Sequence, residues 1–184
     1  MPPLRSRRLW VLLWSLIMMF LLDVAPVASQ ESTQFAGTMF LARRDHYRYA
    51  VDAKKGHYLG LYLWQGSNHS TGKEPFMDRA DVVYWCLADA VHQTGSIQGY
   101  SRLTVRSDSV LLKWSGQWIT TQPPEGCAVS KFEGTFSLAE GTGRFANIEG
   151  TGTFEGKMTT PKYQVVEVKG EYSIKSGAEP ERPH

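Results

Sequence analysis

The side chains able to do chemistry are few and scattered. His46, His57, His69, His92 and His184 fall at no ligand spacing, and there is no HxH, HExxH or Cys-x-x-Cys. Neither a metal centre nor a cofactor is therefore expected. Asp89 and His92 lie close enough in sequence to meet on a turn, where a loop contact is the plainer reading than a catalytic pair. Gly66-Ser67-Asn68 and Gly95-Ser96-Ile97 lack the pattern of a nucleophile elbow. The Gly141/Gly143 phrase lacks the lysine and the following helix of a phosphate loop. Asn68-His69-Ser70 matches a glycosylation acceptor, which only a eukaryotic secretory route would use. An acid–base enzyme would want one buried carboxylate with a raised pKa. Glu133 and Asp89 are the nearest choices; Glu133, Glu149 and Glu155 alternate with apolar positions as a solvated face does, and Arg102 reads as an outward solubilising residue. No catalytic residue emerges.

Aromatic content is the stronger signal. Tyr49, Tyr58, Tyr62, Trp64, Trp85 and Trp114 all fall in predicted strands. Tyrosine and tryptophan join a large apolar face to one polar tip, so together they suit a pocket for a small apolar or aromatic molecule. Ordinary core packing is the competing reading for each of them. Cys86 and Cys127 are the two cysteines. In an oxidising compartment they are candidates for a disulfide, worth about 4 kcal/mol in the chain-entropy picture. Two unpaired thiols remain the alternative.

The compartment follows from the N-terminus. Arg5, Arg7 and Arg8 precede the apolar run Trp10 to Leu22, and Val27 and Ser29 stand at minus three and minus one of a cut before Gln30. Residues 1–29 read as a secretory signal peptide, with export to the periplasm or medium. An uncleaved anchor is disfavoured by Asp23 and Pro26 directly after the run. Without the leader, 17 basic and 17 acidic residues remain, and the formal charge falls from +2 to zero. No basic patch survives, so nucleic acid is excluded as a partner, and no stable membrane insertion is expected after cleavage.

Residues 30–175 read as one domain, with a disordered tail at 176–184 that lacks apolar residues. Period-two alternation runs almost throughout. Strands are predicted at Phe35 to Ala42, Tyr47 to Val51, Tyr58 to Trp64, Val82 to Ala88, Gly95 to Arg106, Ser109 to Thr120, Val129 to Leu138, Ile148 to Thr159 and Tyr163 to Ile174. Phe76 to Asp81 is the one short helical turn expected, and Gly66 to Pro75 and Thr120 to Gly126 are loops. Glycines at 134, 141, 143, 150, 152 and 156 suit a sheet coiled tightly enough to close. The fold class expected is all-β, an antiparallel closed β-barrel of eight to nine strands, with a two-sheet sandwich as the alternative. Tyr58, Tyr62 and Trp64 alternate with Leu59, Leu61 and Leu63, so the third strand is apolar on both faces. Its outer face needs a cover, and a homo-oligomer, dimer or trimer, would supply it.

The run GTGRFANIEGTGTFEG, Gly141 to Gly156, resembles the glycine-rich late strands of the allene oxide cyclase and dirigent barrel superfamily. In that superfamily a GTG-[KR]-[FY] phrase begins a strand. LWQGSNHSTGKEPFMD from Leu63 and FEGT from Phe132 are similar to exported bacterial proteins of that type with no assigned function. The resemblance implies an eight-stranded, often trimeric barrel. It carries over no catalytic residue, because those of the cyclases and dirigents lie outside the matching phrase.

The function expected is that of an exported, non-enzymatic barrel that binds a small apolar or aromatic ligand or serves as an envelope assembly module. The alternative is a cyclase or isomerase-type barrel that steers a reactive intermediate by positioning and exclusion of water.

Overall fold

Alternating apolar and polar residues give a strand one dry and one wet face, and the dry faces must meet. In the computed structural model, which describes residues 31–175, they meet inside one closed antiparallel barrel of eight strands. The expected signal peptide at 1–29 and the expected tail at 176–184 lie outside the described residues. The strands are β1 (Thr33–Asp52), β2 (His57–Ser70), β3 (Asp81–Val91), β4 (Thr94–Val105), β5 (Asp108–Thr121), β6 (Val129–Thr142), β7 (Ile148–Thr160) and β8 (Tyr163–Ile174). Each pairs with the next, and β1 closes on β8 from Thr33↔Tyr172 to Ala42↔Tyr163. No exposed sheet edge is left along that seam.

Two expectations change. The first two predicted strands are one, β1, interrupted by a bulge between Arg43 and Asp45. Phe76 to Asp81 forms no helix; it is an irregular turn that enters the barrel. Asn68 holds that turn. Its Nδ2 donates to the carbonyls of Phe76 (3.1 Å) and Met77 (2.8 Å), and its backbone carbonyl accepts from Arg79 N at 2.8 Å. With 1% exposure and both amide hydrogens engaged, Asn68 is a structural anchor and not a glycosylation acceptor.

The turn plugs one end. Phe76 stacks on Phe35 (4.0 Å between centroids) and meets Phe145 and Tyr172 at 5.4 and 5.2 Å. Phe145 arrives on a 3-10 turn, Gly143–Phe145, pinned by Asp108. Asp108 accepts from Arg144 N (3.1 Å) and Arg144 Nε (2.7 Å), and these hydrogen bonds hold its carboxyl below the ordinary range. Next above lies a layer in which Trp114 stacks on Tyr84 at 4.6 Å and donates through Nε1 to Ser101 Oγ at 3.1 Å.

The glycines make these rings fit. Gly99 lies opposite Trp114, Gly134 opposite Phe154, Gly152 opposite Phe136 and Gly156 opposite Phe132. A Cβ at Gly99 or Gly134 would stand 2.7 Å from the facing ring, and at Gly152 or Gly156 it would run into it. The rings therefore lie against bare backbone on the opposite strand. Gly116 and Gly134 face each other where the strands coil tightly, and a Cβ on either would strike the neighbouring strand's carbonyl. Gly156→Val is expected to cost about 1–3 kcal/mol in denaturant unfolding, as overpacking does. The cost should shrink in a Phe132→Leu background, because the colliding atoms belong to that ring. An equal cost in both backgrounds would refute the account.

Candidate functional site

The end opposite the plug is open. A cavity of about 650 Å³ runs in from it, lined by residues of β1, β2, β3, β4, β5, β6, β7 and β8 and of the loops at that rim. The volume falls in the range usual for small-molecule sites.

The bulge decides what the cavity presents. Inward residues of β1 run Phe35, Met39, Leu41 and then Arg43. One extra residue, Arg44, shifts the parity. Beyond it His46 pairs with Tyr62 and Arg48 with Gly60, both on the inner face of β2. Arg43, His46 and Arg48 thus line the cavity. Gly60 has no side chain to oppose the Tyr62 ring, which would lie 2.5 Å from an added Cβ. The Arg48 guanidinium lies 3.8 Å from the centroid of the Tyr58 ring, a cation–π contact.

Of the six residues proposed for a pocket, Tyr58, Tyr62 and Trp64 lie together on the β2 wall of the cavity. Trp114 is buried in the stacked layer and does not line the cavity. Tyr49 and Trp85 are corrections: they point outward, 72% and 40% exposed. Tyr49 pairs with Leu59 on the outer face because the bulge flips its half of β1. Trp85 sits between inward Tyr84 and inward Cys86, on the wet side of the alternation. Asp89 meets His57 across the β2–β3 pair at 2.7 Å rather than His92, and that pair is on the outer surface. Glu133 and Arg102 are exposed as well. Sequence reasoning missed Arg43, His46, Arg48 and Gln164 as lining residues; the sole trace of the bulge is the polar run Arg43-Arg44-Asp45.

Three buried donors on lining residues, Tyr58 Oη, Trp118 Nε1 and Gln164 Nε2, have no hydrogen-bond acceptor among the described residues. Burial raises the Tyr58 pKa against the opposing pull of Arg48. Burial, with Tyr58 beside it, pushes Tyr62 up to about 12. Burial, with Cys86 beside it, raises Tyr84 as well. At neutral pH all three phenols are protonated. No Asp or Glu lines the cavity, so no carboxylate is placed there to take or give a proton. What the wall offers is hydrogen-bond donation, positive charge and aromatic surface.

The proposed Cys86–Cys127 disulfide is also corrected, since both thiols are free. Cys86 is fixed in mid-strand between Tyr62 and Gly99, whereas Cys127 rides on the exposed β5–β6 loop at the rim. Burial pushes the Cys86 thiol up to about 12, which suppresses its thiolate and its reactivity. An aromatic disulfide reagent at pH 8 should titrate one thiol in the native protein and two after unfolding without reductant. Finding none in the unfolded chain would establish a bridge and overturn this arrangement.

No protein-family model matches the chain, and no curated protein matches it in sequence. Among solved structures it is similar to the pterocarpan synthase dirigent protein GePTS1, at 10% identity and a TM-score of 0.44, over 83% of this chain and 99% of that one. It is also similar to the pterocarpan synthase dirigent protein PsPTS1, at 9% identity and a TM-score of 0.42, over 80% and 97% of the two chains. At these values the likeness transfers no residue role and no substrate to this chain.

Proposed function

We propose that this chain is an exported, non-catalytic binding barrel that takes a small apolar or aromatic molecule into its open end. The carrying observation is the cavity of about 650 Å³ walled by Tyr58, Tyr62, Trp64 and Trp118, with no carboxylate on its lining. An aromatic wall with a few oriented donors holds and orients a ligand; it supplies no acid–base pair for turnover. The leader read at residues 1–29 supports export, where such a barrel would act as a carrier or scavenger.

The outer surface supports a second element of the proposal, self-association. Leu61 lies between Tyr47 and Leu87 in register, and Leu59 beside Tyr49, all exposed. The acid within this apolar belt, Asp89, is matched by His57. An exposed apolar belt of this extent is covered by an identical belt, so the occupant is a second copy of the chain.

Phenylnaphthylamine, an uncharged dye that fluoresces in apolar surroundings, is expected to bind the protein at micromolar concentration. Ile97→Phe, which fills the cavity, should weaken binding at least about tenfold while the circular dichroism spectrum is kept; Leu61→Lys on the outside should leave it unchanged. Loss of dye binding in the outer variant alone would relocate the site and refute the cavity reading. In sedimentation at micromolar concentration the wild type should be oligomeric and Leu61→Lys monomeric. A monomeric wild type would remove self-association and leave the binding reading untouched.

A further inference from the structure

The cavity has a chemical polarity. Its basic groups stand at the rim: Arg43 and Arg48, with His46 between them on the same inward face of β1. Neither arginine makes an ion pair with a carboxylate among the described residues. The unpartnered donors are at the same end. Tyr58 opens β2 and pairs with Ala50, two residues from Arg48. Gln164 opens β8 and pairs with Leu41, two residues from Arg43. Both Tyr58 and Gln164 are only 5% exposed, and the Tyr58 hydroxyl and Gln164 Nε2 have no acceptor. Trp118 Nε1 adds a third such donor, on a ring set edge-on to Tyr62 at 6.2 Å. Farther in, the wall is Trp64, Tyr84, Ile97 and Phe132.

Two guanidiniums stand where no acid among the described residues answers them, with three buried donors on residues at the same end of the cavity. A neutral ligand would leave the charges unmatched, and a cation would be repelled. An acceptor-only anion satisfies both, since charge-assisted hydrogen bonds from arginine to an oxyanion are the stronger kind. We propose that the ligand is an aromatic organic anion, one carboxylate or sulfonate on a ring body, held head outward by Arg43, Arg48, Tyr58 and Gln164 with its rings among Trp64, Tyr84 and Trp118. The proposal rests on the binding reading above and adds the class of ligand.

A matched pair of dyes tests it on the full-length protein. Anilinonaphthalene sulfonate and phenylnaphthylamine share one ring body and differ by the anionic group. The sulfonate is expected to bind at least about tenfold more tightly. In Arg43→Gln/Arg48→Gln that preference should vanish while phenylnaphthylamine affinity holds. In the charge-keeping pair Arg43→Lys/Arg48→Lys most of it should survive, which keeps the test decisive if the glutamine pair fails to fold. Equal wild-type affinity for the two dyes would overturn the anion assignment and leave the cavity reading standing. A sulfonate preference that persists in the glutamine pair, or vanishes in the lysine pair, would also overturn it. Failure of both dyes to bind would sink the binding reading itself.

Discussion

The barrel depends on rings lying against strands that have no side chain to resist them. An eight-stranded barrel is barely wide enough for its own inward residues. This one places Phe132, Phe136, Phe154 and Trp114 inside, each opposite a glycine on the adjacent strand. The glycine lets the ring press flat to the wall instead of reaching across the lumen. The same glycines bring backbones close, as Gly116 and Gly134 do, and so tighten the coil that lets β1 meet β8. Closure and an open interior thus have one cause.

A second constraint acts on one residue. Had β1 run without its bulge, the inward positions after Arg43 would have been Asp45, Tyr47 and Tyr49. The extra residue puts His46 and Arg48 inside instead and turns both tyrosines out. The basic rim and the apolar outer belt are two sides of that shift. Deleting Arg44 would remove the bulge yet leave Asp45 opposite Leu63 and His46 opposite Tyr62, so His46 and Arg48 would stay inward.

The barrel itself was legible because alternation survives in most strands and the late glycines betray close packing. Site residues were less so, for physical reasons. Arg43-Arg44-Asp45 reads as a loop between two strands, since a bulge removes the alternation that would mark it. Strand β3 is apolar on both faces, so Tyr84 and Trp85 cannot be assigned inward or outward without the register. The β3–β4 hairpin turns on His92 and Gln93, both at positive φ, where asparagine and glycine are the usual signals. Asn68 stands in a polar stretch that composition assigns to the surface, yet it is the buried post on which the plug hangs.

Energetics separate binding from catalysis at this site. Each buried donor without an acceptor costs about 1–3 kcal/mol, and three are tolerated in a fold whose total stability is of order 5–15 kcal/mol. On the binding proposal, an acceptor from outside the chain would offset that cost at Tyr58, Trp118 and Gln164. Beside His46, the ionisable groups deeper in the wall keep their protons. With Tyr62 at about 12, the phenolate fraction at pH 7 is on the order of one part in a hundred thousand. The buried Cys86 thiol, also at about 12, is equally unavailable as a thiolate. At neutral pH these groups keep their protons, which on the binding proposal favours a molecule that carries acceptors.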